Sequence, residues 1–252
     1  MKSYVEELLE NNKRVDGREF LEFRKIEVEK DLISKAEGSS SVKMGNTHVI
    51  AGIKLDVGEP FKDTPNEGIL IVNAEFAPIA APEFEPGPPG EGAIELARVV
   101  DRGLRESKAI KLEELVIEAK EKVWIVFVDI YIINHDGNLL DASALASLAA
   151  LSVTKIPKFE DNQVIRGEYS GKLPLSHFPI NITVWKFKDK FILDPIKNEE
   201  EVLDTGLAIS VREDDRICSL QKMGAKPFSF DDVDKMIDIA IEKSKELRKL
   251  VV

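Results

Sequence analysis

The strands of this chain are expected in groups, each group followed by one helix, and that order constrains the fold more than any other feature. Apolar and charged residues alternate over residues 23–28, the pattern of a half-buried strand. Two strands follow within 41–57, joined at Gly45-Asn46, and another at 69–76 (ILIVNAEF). A helix is expected over 93–108, then strands at 115–119 and 123–133. The turn Asn134-His135-Asp136-Gly137 leads into a helix of small residues at 139–153. Residues 155–180 are mixed and hold a hairpin around Gly171. Strands at 181–187, 190–194, 207–213 and 216–222 come next. A long helix closes the chain, opening at Ser229-Phe230-Asp231-Asp232 with an N-cap residue and first-turn acids. A short amphipathic helix is expected at 2–12, with Tyr4, Leu8 and Leu9 between acids. Strict alternation of strand and helix is absent, which disfavours a doubly wound parallel sheet and favours an α+β fold of mixed sheets with helices packed on them. The order of strands, turn and helix around 115–153 returns around 191–250 without repeating residue identities. The expectation is therefore two halves of similar shape, 1–180 with the N-terminal helix and 181–252 ending in the long helix.

Composition narrows the function. The chain has 252 residues, 43% of them apolar, and a formal net charge of −11. Affinity for nucleic acid comes largely from phosphate neutralisation by Lys and Arg, so a chain this acidic needs a local basic patch or a partner to hold RNA. No run of 18 apolar residues exists, so no membrane span is expected. The opening MKSYVEELLENNKR carries acids where a signal peptide needs a basic end and an apolar stretch, and the chain reads as cytoplasmic. One cysteine, Cys218, excludes an internal disulfide framework. The three histidines (His48, His135, His177) lie far apart in sequence, against a zinc site. Residues 81–92 (APEFEPGPPGEG) hold four Pro and three Gly and cannot form a regular element.

Three places hold residue types that do chemistry. On the 93–108 helix, Arg98, Arg102 and Arg105 recur at i, i+4 and i+7, within an arc of roughly 60° at about 100° per residue. Ala93, Ala97, Val100 and Leu104 share another arc and mark the core face. Guanidinium groups in a row make a phosphate rail, since each forks onto phosphate oxygens. From spacing alone a solvated face is the commoner reading, with Asp101 placed to pair with Arg105 and Glu95 with Arg98. The acids Asp194, Glu199, Glu200, Glu201 and Asp204 are dense enough to hold Mg²⁺ or do acid–base work, though an ordinary surface loop is the commoner reading of such a cluster. The segment Glu37-Gly38-Ser39-Ser40-Ser41 lacks the Walker pattern and reads as a bulge at a strand edge; Glu213-Asp214-Asp215-Arg216 reads as a hairpin turn.

Several segments together resemble the RNase PH family: Arg14-Val15-Asp16-Gly17-Arg18, then Glu22-Phe23-Arg24, then AEGSSSVKMGNT at 36–47, the 93–108 helix, the 123–133 strand and Asp136-Gly137 before a helix. AIELARVVDRGLRESKAI and LLDASALASLAAL are most similar to the member of that family that forms the non-catalytic part of the archaeal exosome ring. The resemblance implies an RNase PH-like fold of two ββαβ-type halves, like the second domain of ribosomal protein S5. It implies a hexameric ring, three plus three, alternating with an active RNase PH-like subunit that shortens single-stranded RNA from its 3′ end with phosphate, under a cap of RNA-binding subunits. No cofactor, metal or membrane partner is expected.

The departures from the active pattern set the expected role. In active members the Asp-Gly turn leads into a Gly-Thr/Ser-Arg-Thr/Ser segment that binds phosphate. Here Leu140 stands at the position of that Arg, and Asp141 at that of the hydroxyl residue after it. An apolar side chain replaces a cationic fork, and a negative charge is expected where the phosphate would dock. Active members also carry two downstream acids. The alignment puts Glu201 near the first and Gly206 at the second, with Asp204 as a substitute. The expectation is no catalytic residue in this chain, and Arg98, Arg102 and Arg105 as RNA-phosphate contacts beside a partner's active site. The alternative is that the chain is itself an active phosphate-dependent 3′-to-5′ exoribonuclease.

Overall fold

The computed structural model describes residues 2–203 and 205–252. It is an α+β fold in which one helix of small residues lies between two sheets. The first sheet runs in the order β1 (Ile26–Lys30), β2 (Gly38–Met44), β3 (Thr47–Gly58), β6 (Lys122–Asn134), β4 (Ile69–Phe76), with the short β5 (Val116–Glu118) also on β6. All its pairs are antiparallel except β4 on β6. The second sheet is antiparallel, in the order β10 (Lys190–Leu193), β9 (Ile180–Phe187), β11 (Thr205–Val211), β12 (Ile217–Gly224). β7 (Lys155–Glu160) and β8 (Gln163–Lys172) form a separate hairpin.

The central helix α3 (Leu139–Val153) packs on β2 and β3 on one side and β9 on the other. Eleven of its residues are buried, Leu140 through Ser143 and Leu145 through Leu151. A helix buried on nearly every side has no solvated polar face, which is why its sequence, Asp141 and Val153 apart, is Ala, Ser and Leu. The small residues of β2 belong to the same contact. A Cβ added at Gly38 would lie 2.2 Å from Thr154 Oγ1 and 2.7 Å from the carbonyl of Ala150. The Gly-Ser run is therefore the interior of a strand paired on both sides with unbroken register, not a bulge at an edge. Ser39 and Ser40 are fully buried; Ser40 Oγ donates to the Ala146 carbonyl at 2.6 Å.

Helix α2 (Glu91–Glu106) packs on β4, α3 and β12 through Ala93, Ala97, Val100 and Leu104, the face its spacing marks. Helix α5 (Phe230–Arg248) covers β9 and β11, with Ser229 capping it by accepting from Asp232 N at 3.1 Å. Helix α1 (Lys2–Glu10) buries Val5 and Leu9, whereas Tyr4 is exposed, so its packed face is displaced from the expected one. The hairpin of 155–180 turns at Asp161-Asn162, both with positive φ (50° and 62°), and Gly171 lies within β8. Asp and Asn tolerate that left-handed geometry without glycine. The 81–92 loop reaches into the first turn of α2; Phe84 stacks on His135 at 5.6 Å between centroids. Among the described residues no helix is long and apolar enough to cross a membrane.

Candidate functional site

Two places in this fold have the makings of an anion site. The first is the start of α3. Gly137 holds φ +85° and Asn138 φ +51°, a tight turn that aims the chain into the helix. A Cβ on Gly137 would sit 2.2 Å from the Pro195 carbonyl, so the 194–200 segment lies directly against this turn. Helix starts favour anions through free N–H groups and the dipole. Here the chain provides the anion itself. Asn138 N–H donates to Glu200 Oε1 at 2.6 Å. Glu200 ends the short helix α4 (Lys197–Glu200), and burial pushes its carboxyl up to about 7, against the pull of the Asn138 N–H bond and Arg24.

Behind it lies a buried charge network. Asp194, fully buried, accepts from Arg24 Nη2 at 2.6 Å, Arg24 Nε at 2.9 Å, Arg24 N at 2.8 Å, Arg18 Nη1 at 3.2 Å and Asn138 Nδ2 at 3.0 Å. Glu199, also fully buried, takes a bidentate grip from Arg14, with Nη2 at 2.5 Å and Nε at 3.1 Å. Arg24 adds bonds to the carbonyls of Asp136 (2.6 Å) and Gly137 (3.3 Å). The acids around 194–200 thus do not form a surface loop. They saturate the arginines of the N-terminal segment, because a buried charge is tolerated only when paired.

Leu140 is buried in the core, as an apolar residue at that position must be. Asp141 departs from expectation. Its carboxylate is fully buried and turned to β9, where it accepts from Thr183 Oγ1 (2.7 Å), Asn181 Nδ2 (2.7 Å) and Thr183 N (3.0 Å). Burial pushes it up to about 6 despite those bonds. The carboxyl group at the start of α3 is that of Glu200, not Asp141. Glu201 is exposed at the end of α4. Gly206 lies in β11 under the Trp185 ring, which a Cβ there would approach to 2.8 Å, so an acid at 206 would require that indole to move. Asp204 lies outside the described residues.

The second place is the outer face of α2. Arg98, Arg102 and Arg105 line one groove of 270 Å³, together with Val72, Ala97, Asp101 and Glu106. The structure brings all three arginines of the stripe together there. Arg105 pairs with Asp101 (Nη2–Oδ1 2.7 Å, Nε–Oδ2 3.1 Å) and donates to the Leu70 carbonyl at 3.0 Å. Arg102 Nη1 donates to Gln221 Oε1 on β12 at 3.1 Å. Arg98 is exposed and unpaired among the described residues; the pair with Glu95 does not form.

Sequence reading missed Glu200 as the helix-start anion, Asp194 as the hub and Gln221 as the tether of Arg102. The one available signal was a charge match: three arginines in 14–24 against the acids of 194–201.

A helix wedged between two sheets, a carboxylate against its start and a cationic groove on α2 mark a two-domain α+β scaffold, and the chain belongs to the 3′ exoribonuclease (RNase PH) family. The model of that family's domain 1 matches residues 22–157 and that of domain 2 residues 177–243. More particularly, the chain is 49% identical to exosome complex component Rrp42 of Methanopyrus kandleri, over 94% of this chain and 90% of that protein. It is 48% identical to the same component of Archaeoglobus fulgidus, over 98% and 94%. Among solved structures, a chain of the Archaeoglobus fulgidus exosome with RNA bound to the active site superposes with TM-score 0.92 at 47% identity, covering 98% of this chain and 96% of that one. Rice Rrp46, at 20% identity and TM-score 0.72 over 94% and 98%, shares the fold.

Proposed function

We propose that this chain is a non-catalytic subunit of an exosome ring, alternating three-plus-three with an active RNase PH-like subunit and carrying RNA-binding cap subunits. Its 180/181 junction divides the two halves, and it works in the cytoplasm. In this reading Arg98, Arg102 and Arg105 hold phosphates of single-stranded RNA beside the partner's site during 3′-to-5′ phosphorolysis. The relatives named exosome component Rrp42, and the similar chain from an exosome with RNA in its active site, support the assembly.

One observation carries the absence of catalysis: the Glu200 carboxylate on Asn138 N–H at 2.6 Å. A phosphate dianion arriving there meets a carboxylate in its place and Leu140 instead of a guanidinium. Arg24, which donates to the Asp136 and Gly137 carbonyls beside this turn, is already engaged by Asp194. Each factor raises the free energy of bound phosphate, and none offsets another. The active alternative needs a phosphate grip that these residues do not offer. The test is to incubate the purified chain with RNA and orthophosphate, alone and with an active family subunit. The expected result is nucleoside diphosphate release only from the mixture; robust release by the lone chain would overturn the proposal.

A further inference from the structure

The three guanidinium groups of the α2 groove differ in their partners. Arg98 is exposed and has no partner among the described residues. Arg102 is tethered to an uncharged amide, Gln221 Oε1 at 3.1 Å, and keeps its charge. Arg105 is different. Asp101, four residues earlier on the same helix, grips it through both carboxylate oxygens at 2.7 and 3.1 Å. The Leu70 carbonyl holds the same Nη2 from β4 at 3.0 Å. A bidentate Asp–Arg pair is a planar unit with no net charge. It leaves the Nη1 donors without a partner among the described residues, on a fork that is already oriented.

We infer that Asp101 sets the affinity of the groove for RNA by cancelling the charge of Arg105 while fixing its fork. The inference rests on the RNA reading of the stripe proposed above. The groove then grips a strand with two net cationic side chains and one oriented, charge-compensated donor. Each cation that neutralises a phosphate releases condensed counterions, and for single strands the slope of log K against log salt changes by about 0.7 per phosphate neutralised. A compensated Arg105 contributes less than its share to that slope. Its hydrogen-bonding geometry survives, because Asp101 has already fixed its rotamer. The result is a groove that orients a strand without clamping it, as a strand advancing stepwise towards a neighbouring active site requires.

The experiment measures binding of a labelled single-stranded oligoadenylate to the ring assembled with its active partner, over a series of salt concentrations. The variants are Asp101→Asn, Glu106→Gln and Arg98→Ala. Asp101→Asn keeps the side chain's shape and removes its charge. It should tighten binding about threefold, the Coulomb interaction of one unit charge with a phosphate about 6 Å away in nearly bulk solvent. It should also steepen the salt slope by up to about 0.7 for each Arg105 that meets the strand. Glu106 lines the same groove and acts on Arg105 through its field without an ion pair among the described residues, so Glu106→Gln controls for loss of a nearby charge with the Asp101–Arg105 pair kept. It should steepen the slope less. Equal steepening by the two variants, an unchanged slope in Asp101→Asn, or weaker binding in Asp101→Asn would each overturn the inference. Arg98→Ala separates this failure from that of the RNA reading: if it lowers affinity and slope while Asp101→Asn is silent, only the role of Asp101 falls. If Arg98→Ala is silent too, the RNA reading falls and the inference with it.

Discussion

The start of α3 and the face of α2 are both built to meet anions, and they differ in what the chain does with its own charges. At α3 the helix start is occupied by Glu200, and the arginines behind it are consumed by Asp194 and Glu199. At α2 the arginines stand at the surface: one has no partner among the described residues, one is tethered to an amide and one is paired with a carboxylate. The same chemistry is closed in one place and left open in the other. The closure is internal and buried, where charge pairs are costly to break; the opening is solvated, where they are cheap to exchange. At the start of α3 the charged groups are ties between distant segments, Arg14 to Glu199 and Arg24 to Asp194.

The largest effect expected from breaking this contrast is at its buried pole. Asp194→Ala leaves Arg24 buried with only the longer contact to the Asp136 carboxylate, at 3.7 Å. It should cost about 3–5 kcal/mol of folding stability, measured by chemical denaturation. A loss below about 1 kcal/mol would mean that the network does not tie the segments together.

The second effect is in pH. Glu200 has a folded pKa of about 7, above the ordinary carboxylate value, so the folded state holds its proton more tightly than the unfolded chain. Its contribution is complete below the ordinary carboxylate range and is lost as pH rises through about 7. Glu200→Gln removes that titration. The variant should gain on the parent by about 2–3 kcal/mol between pH 5 and pH 8. His48 and His135, whose pKa values burial lowers, titrate in the opposite sense in both proteins and cancel in the difference. A difference that does not change with pH would contradict a carboxylate held at the helix start.

At the open pole the effects are smaller. Arg98→Ala should weaken binding of single-stranded RNA to the assembled ring by about 1 kcal/mol, across sequences alike, and lower the salt slope. The ring itself should assemble unchanged, as checked by its mass. Smallest of all, Arg105→Ala should shift the stability of the isolated chain by only about 0.5 kcal/mol in thermal melts, because its pair with Asp101 is solvated. A large loss would place Arg105 with the buried ties instead.

The legible parts of this chain were those governed by local periodicity. The strand at Ile69–Phe76 and the helix at Leu139–Val153 have the expected limits, since an apolar run and a change of period mark both. The Arg stripe of α2 falls on one groove because helical spacing alone decides which residues share a face. What escaped depends on contacts between distant segments. Arg14 meets Glu199 across 185 positions, and Arg24 meets Asp194 across 170, and nothing local distinguishes these acids from a solvated loop. Asp141 shows the same limit: its identity suggested repulsion of phosphate, but its direction is set by Asn181 and Thr183 on β9, forty or so residues away. The Gly-Ser run of β2 looked like an irregular edge because its reason, the close approach of α3, lies on another element.

The central claim is that the start of α3 is closed to phosphate by the chain's own carboxylate. The most direct measurement is a titration of the intact chain with orthophosphate, followed through the backbone amide resonances of Asn138, Leu139, Leu140 and Asp141. No saturable shift is expected at any of the four up to about 10 mM phosphate, a range that reaches dissociation constants typical of weak anion sites. A saturable shift centred on Asn138 would show that phosphate displaces Glu200, and would contradict the account.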